Sequence, residues 1–271
     1  MKEEILILLE KHENWVTEGK SIFNTSDSSL ASTITVLSTP SEDENSDIQS
    51  DKQADASLLE ATYPDVWLFL NNIEKPPTVD EIIKERPIIT NSNAIDWHFQ
   101  KLTGKDITNL TVKMIEKSDR LCNHLNKKHK IVGKGTTTIE CLSNALCQYF
   151  KEDITTSWKK VENFNDTESA KSAPTTPLIA SPIILEIGNG NGDFAVVMEQ
   201  RSICKSHSAA RAFEIMTAYY FILNLEYPKD VSCFMEFIQR YFLKIQPEYG
   251  SKSKNSKTKQ RVITLMKNLP K

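Results

Sequence analysis

Apolar residues recur at helical spacing over most of this chain. Across 2–18, Ile5, Leu8, Leu9, His12 and Trp15–Val16 fall on one side of a 3.6-residue repeat and predict a short amphipathic helix in a first segment, 1–20. The pattern then vanishes. From Asn24 to Ser57 the chain is dominated by Ser, Thr, Asp and Glu, which bury too little surface to offset the entropy of ordering, so 21–57 reads as a disordered acidic arm. Periodicity resumes at Leu58, with a helix expected through Leu70 once Pro64 has set its first turn.

Caps sharpen the next elements. Thr78-Val-Asp-Glu81 has the form of a capping box and opens a short helix ending near Arg86-Pro87. Asn91 or Ser92 starts another, through Ile95, Trp97, Phe99 and Leu102, that Gly104 stops. A longer helix from Thr108 carries Leu110, Met114, Leu121 and Leu125 on one face, and Thr137-Thr-Ile-Glu140 reads as a second capping box before Leu142, Leu146 and Tyr149–Phe150. These helices make up a subdomain at 58–160. The stretch 161–182, with Pro174, Pro177 and Pro182 among polar residues, reads as a linker to a second subdomain at 183–271. There, helices are expected near 208–224, 230–245 and 256–268. The first is apolar almost all round and so should be central, and the second shows one stripe of Val231, Phe234, Met235, Ile238, Phe242 and Ile245.

The most enzyme-like motif lies just before those helices. Ile183-Ile-Leu-Glu-Ile-Gly-Asn-Gly-Asn-Gly-Asp193 resembles the glycine-rich loop of methyltransferases that use S-adenosylmethionine. Such a loop needs a helix after the glycines and an acidic residue ending a second strand about 20 residues on. Here Phe194-Ala-Val-Val-Met198 is β-prone, and Ser208–Glu214 reads as helix. Two β-prone runs flanking consecutive Asn-Gly pairs, whose positive φ suits tight turns, instead predict a β-hairpin near 183–203. With no Ser/His/Asp or Cys/His arrangement at meaningful spacing, the chain is read as non-enzymatic, with no cofactor.

Charge alters the picture at the two ends. The 271 residues carry a net charge of −3, yet Ser41–Ser57 holds six acidic residues against one lysine. After Glu248 there is no further acid, while Lys252, Lys254, Lys257, Lys259 and Arg261 form a basic tail. Such a tail is suited to phosphate contacts, although no aromatic residue interleaves it to stack bases. Within the arm, Ile34-Thr-Val-Leu37 precedes a run of acids and resembles a SUMO-interacting motif. Ile34, Val36 and Leu37 would add a strand to a partner's sheet edge while the acids meet a basic rim. Thr39-Pro40, Thr176-Pro177 and Ser181-Pro182 have the form of proline-directed phosphorylation sites. The five cysteines are odd in number and come after no secretory leader, which points to reduced thiols in an intracellular setting, nucleus or cytoplasm. Cys122, His124, His129 and Cys141 do not fall at the spacing of paired zinc ligands. No apolar run is long enough to span a bilayer.

Several stretches together resemble a poorly characterised animal family, found C-terminally in proteins that carry a sterile alpha motif or zinc fingers. They are Tyr63-Pro-Asp-Val-Trp-Leu-Phe-Leu70, Lys75–Pro87, Asp96-Trp-His-Phe-Gln-Lys-Leu-Thr-Gly104, Tyr219–Pro228 and Phe237–Phe242. The resemblance covers about 58–270 and implies a helical interaction module with a hairpin before its last helices; it brings no active site. No sterile alpha motif is legible in this chain.

The expected architecture is therefore mainly α: a helical domain with one β-hairpin inserted before the C-terminal helices, preceded by the acidic arm. The expected function is a protein–protein interaction or adaptor role in a nuclear regulatory assembly. The alternatives are a nucleic-acid-associated, transposon-derived factor acting through the basic tail and, third, an S-adenosylmethionine-binding enzyme using Gly188–Gly192.

Overall fold

The computed structural model describes residues 56–72, 74–162, 181–188, 192–199, 201–246, 252–253 and 256–269. The amphipathic segment 2–18, the acidic arm up to residue 55 with Ile34, Val36 and Leu37, and most of the linker (163–180) lie outside them, while Ala56 and Ser57, expected in the arm, begin the first helix. Within the described residues the fold is mainly helical with one small sheet.

Five helices come first: α1 (Ala56–Leu70), α2 (Val79–Glu85), α3 (Ser92–Thr103), α4 (Asn109–His129) and α5 (Thr138–Phe150). Their ends reflect the chemistry of orphan amides and carbonyls. At α2 both halves of the capping box form: Thr78 accepts from the Glu81 amide, and the Glu81 carboxylate accepts from the Thr78 amide at 2.8 Å. Asn91 caps α3 by accepting from Asn93 and Ala94, and Gly104 ends it at φ 66°, the left-handed conformation that favours glycine. At α5 only half of the expected box exists. Thr137 accepts from the Glu140 amide, but the Glu140 carboxylate turns to the Thr136 amide at 2.6 Å. A second correction concerns Pro64, which sits inside α1 rather than at its start. Proline removes one ladder hydrogen bond; Thr62 meanwhile donates its hydroxyl to the Leu58 carbonyl.

The sheet is larger than the expected hairpin. Strands β1 (Trp158–Val161), β2 (Ile183–Ile187), β3 (Asp193–Met198) and β4 (Arg201–Ser206) lie in the order β1-β2-β3-β4. β2 and β3 form the hairpin, antiparallel, with Ile187 opposite Asp193 and Ile183 opposite Val197. β1 adds parallel to β2, and β4 adds antiparallel to β3 with an irregularity between Val196 and Val197. Both faces of the central pair are buried. Ile184, Phe194, Val196 and Met198 join the main core, while Leu185, Ala195 and Val197 join a second small cluster. That double burial explains why these strands read as continuous apolar runs rather than an alternation.

Helix α6 (Ala209–Ile222) runs through the middle, buried from Ala212 to Ile222 on every side. It packs on α3, α4 and α5 and on β2, β3 and β4. Beyond it, the stretch expected as one helix over 230–245 is split. A 3-10 turn (Lys229–Val231) leads into the short α7 (Ser232–Phe237), which passes into a π-helical segment (Ile238–Phe242), where the Leu243 amide donates to the Ile238 carbonyl. Val231 to Gln239 are all buried, so no single stripe faces the core. The wider π turn admits one extra residue per turn and re-aims the side chains after it. Finally α8 (Ser256–Asn268) lays Val262 and Leu265 against α7. One cluster of buried residues extends from Val66 to Leu269, so the segments on either side of 163–180 share a core.

His98 of α3 tests this packing. It is 3% exposed, stands 5.4 Å from the Tyr63 ring and 5.2 Å from the Trp97 ring, and its Nε2 has no hydrogen-bond partner. Burial disfavours its charged form and pulls its pKa from 6.5 to about 4. Because the folded value lies below the unfolded one, this contribution to stability is complete above pH 6.5 and is lost as pH falls towards 4. The difference amounts to about 3 kcal/mol by pH 4. Urea unfolding of the wild type and of His98→Phe between pH 7 and pH 4 should show the variant losing less stability on acidification. Parallel losses would mean that His98 is not buried in its neutral form.

Candidate functional site

The glycine loop is the first place to look for a site. Gly188 (φ 75°) and Gly192 (φ 83°) bracket the hairpin connection. A Cβ placed on Gly192 would come no nearer than 3.9 Å to the His207 carbonyl. The glycine therefore serves the backbone conformation, not a close approach. After the loop the chain enters strand β3, antiparallel to β2, and not the helix that a cofactor loop requires.

Next are the charged groups held between elements, from half-exposed Lys160 to fully buried Glu236. Arg211 of α6 binds Asp96 of α3 through two hydrogen bonds, 2.8 and 2.9 Å, and donates to the Ser92 carbonyl at 2.9 Å. It also approaches Glu214 at 3.4 Å, and Thr111 of α4 donates its hydroxyl to the same carboxylate. Burial raises the pKa of both Asp96 and Glu214, against the opposing pull of Arg211 and, at Glu214, of Thr111. A second group forms where α5 meets the sheet. Lys160 of β1 bridges Glu140 (3.1 Å) and Glu186 (3.2 Å), and the Trp158 indole donates to Glu186 at 3.3 Å. Glu152 accepts from the Cys233 and Phe234 amides at 2.7 and 2.9 Å, satisfying the start of α7. Glu236, fully buried, pairs with Arg240.

In each of these groups a carboxylate is held by cations or amides that join separate elements. At Glu214 and Glu152 the carboxylate also meets a hydroxyl, that of Thr111 and that of Ser232 (3.5 Å) respectively. The imidazoles of His98 and His124 leave Nε2 without a hydrogen-bond partner. Among the described residues no group of three or more His, Cys, Asp or Glu could hold a metal ion. Cys122 and Cys147 have their thiol pKa raised, chiefly by burial, the opposite of an activated thiolate.

The basic tail is partly folded in. Lys252 places its ammonium 5.2 Å from the Phe221 ring and within 3.4 Å of the Leu225 carbonyl, and burial pulls its pKa down to about 8. Arg261 donates to the Phe150 carbonyl and stands 5.8 Å from the Phe150 ring. Lys257 and Lys259 lie on α8, and Lys254 lies outside the described residues. The structure thus turns Lys252 and Arg261 towards the protein.

A different basic cluster was not singled out from the sequence. Lys117 of α4 and Lys244, just after the π segment, place their ammonium groups 4.8 and 4.9 Å from the centre of the Tyr241 ring. The two nitrogens are therefore no more than about 10 Å apart, where like charges at a protein surface repel by roughly 1–2 kcal/mol. Tyr241 is stacked on Phe237 at 4.9 Å. Lys113 and Arg120 extend the cluster along α4, at i−4 and i+3 from Lys117. Among the described residues, Lys113, Lys117 and Lys244 form no ion pair, and desolvation with Lys244 and Lys113 lowers the pKa of Lys117. The spacing of Lys113, Lys117 and Arg120 was visible in the sequence. Their meeting with Tyr241 and Lys244 was not, because it depends on the π turn.

Large apolar side chains also remain outside. Leu58 and Leu68 of α1 are each 47% exposed, and Val112 and Ile115 of α4 are 50% and 49% exposed. No helix among the described residues is long and apolar enough to cross a membrane. In comparisons with known proteins, no family model matches the chain, and no curated protein or solved structure matches it.

The Arg211 network makes a direct test. Removing one partner of a part-buried pair leaves carboxylates less well compensated, Glu214 among them buried, so Arg211→Ala should cost about 2 kcal/mol at pH 7, less than for a fully buried pair. Asp96 and Glu214 already favour protonation above their ordinary values, and without Arg211 they do so further. The penalty should therefore be largest above their folded pKa values and shrink as pH falls to 5. Equal losses at both pH values in urea unfolding would show that stranded carboxylates are not the cause.

Proposed function

We propose that this chain is a non-enzymatic protein-binding adaptor, working in a nuclear regulatory assembly. The observation that carries this reading is a contrast between inside and outside. The buried ionisable groups that could do chemistry are spent on joining elements, whereas large apolar side chains of α1 and α4 face solvent. Leu58 and Leu68 lie ten residues apart on α1, with the exposed Ala61 and Asp65 between them, so they share its outer side. Exposed apolar residues grouped on rigid helices are the usual raw material of protein interfaces. The resemblance to a helical interaction module supports the same reading. In it, Ile34, Val36 and Leu37 supply a short linear motif for a SUMO-like partner, and the helical body supplies a docking surface.

Binding of nucleic acid through the basic tail is the weaker reading, because Lys252 and Arg261 are engaged with Phe221 and Phe150. Affinity purification of the tagged full chain, compared with a version lacking residues 1–57, tests the proposal. A defined set of protein partners is expected, with part of the set lost on deletion. Recovery of mainly nuclease-sensitive material, or of nothing specific, would overturn it.

A further inference from the structure

We infer that the lysine pair over Tyr241 is a docking site for an acidic peptide segment of a partner protein. Lys117 and Lys244 would bind its carboxylates, and Lys113 would lie one helical turn away. The inference rests on the adaptor reading and names the chemistry of one partner.

Three observations carry it. First, two ammonium groups share one aromatic ring, at 4.8 and 4.9 Å, yet among the described residues neither has a carboxylate within 4.0 Å. The acids elsewhere on the body show what the fold does with a cation it neutralises. Lys160 is held by Glu140 and Glu186, Arg211 by Asp96 and Arg240 by Glu236. Second, the pair is held in place. Lys117 projects from the middle of α4, and Tyr241 and Phe242 are positioned by the π turn, with Lys117 also 5.9 Å from the Phe242 ring. A cation pair brought together before binding attracts an anion without the entropy of gathering loose side chains. Third, the site is accessible, since Lys244 is exposed and Lys113, Lys117 and Tyr241 are part-exposed.

The same geometry selects a peptide over a nucleic acid. One face of Tyr241 is taken by Phe237 and the ring is already covered by ammonium groups, so it offers no platform for base stacking. Along α4, Glu116 and Asp119 interrupt the cations and would repel a phosphate backbone tracking the helix. A short acidic segment needs only the single point where the lysines converge.

The test uses the full chain and fluorescence anisotropy at low salt. The probes are a labelled Glu-rich peptide, its Gln counterpart, and single- and double-stranded DNA. Lys117→Met keeps an apolar stem over the ring and removes the charge. Lys244→Gly removes the second charge at a position whose φ of 58° suits glycine. The Glu peptide should bind in preference to the other probes, more weakly as salt rises. The double variant should lose about tenfold in affinity with its Tm retained, and Lys117→Arg should keep most of it. Should the double variant melt early, Lys244→Gly alone carries the comparison. Undiminished affinity in a folded variant, no preference over the Gln peptide, or tighter binding of DNA would each overturn the site. Failure of the two readings is distinguishable. Partners recovered equally by wild type and double variant leave the adaptor standing without this site, whereas no partners from the wild type remove the adaptor itself.

Discussion

A helix with no polar face has to be enclosed, and that constraint shapes the rest of this molecule. From Ala212 to Ile222, α6 exposes almost nothing, so helices must cover it on some sides and a sheet on another. Phe99 of α3 meets Phe221 edge-on at 5.2 Å, and Phe213 meets Phe234 of α7 at 6.0 Å. The polar atoms that α6 carries inward then need partners, because an unpaired buried group costs more than a made bond returns. Thr217 donates to the carbonyl of Phe213 on its own helix. The Tyr219 hydroxyl donates to the Ile89 carbonyl at 2.8 Å, and Tyr220 reaches the Pro182 carbonyl. Both phenols fix a connecting segment against the central helix, and burial pushes both upward in pKa.

The charged networks arise from the same enclosure. Glu214 lies on the buried side of α6, at 5% exposure, and it remains there only because Arg211 and Thr111 compensate it. Glu186 sits on the inward face of β2 beneath Lys160 and the Trp158 indole. Such pairs add little net stability compared with apolar side chains of the same size, but breaking one is costly. Their effect is on register. β1 can pair with β2 only where Lys160 stands opposite Glu186, and α3 can cross α6 only where Asp96 meets Arg211. Groups that serve this purpose are held by partners on neighbouring elements.

Much of this architecture was legible because it is local. Thr78 and Glu81 form their box within four residues, Asn91 and Gly104 bound α3, and the apolar circumference of Ala209–Ile222 announced a central helix. The hidden parts depend on distant partners. Trp158-Lys-Lys-Val161 is too short and too polar to read as a strand, and becomes one only beside Ile184–Ile187. Glu140 has the position of a capping-box residue, but Lys160 and the Thr136 amide hold its carboxylate elsewhere. Pro64 marks a helix start in isolation, yet α1 continues through it, with Leu59, Val66 and Leu70 buried along its length. The π turn has no composition of its own. It arises where Val231–Gln239 is buried all round and the chain must still bring Phe242 and Leu243 inside.

The candidate sites divide along the same line. A lysine-rich tail stands out in a one-dimensional reading because its charges are closely spaced, but the Lys252 ammonium and the Arg261 guanidinium lie over the rings of Phe221 and Phe150. Their charge count therefore overstates the field they present to solvent. Lys113, Lys117 and Lys244 do not stand out in sequence, because Lys244 lies far along the chain from the other two and acids are mixed among them. They gain weight because α4 and the π segment bring both ammonium groups over the same Tyr241 ring. Apolar enclosure of one helix thus determines which cations are neutralised from within and which are left facing outward, and only the latter are available to a partner.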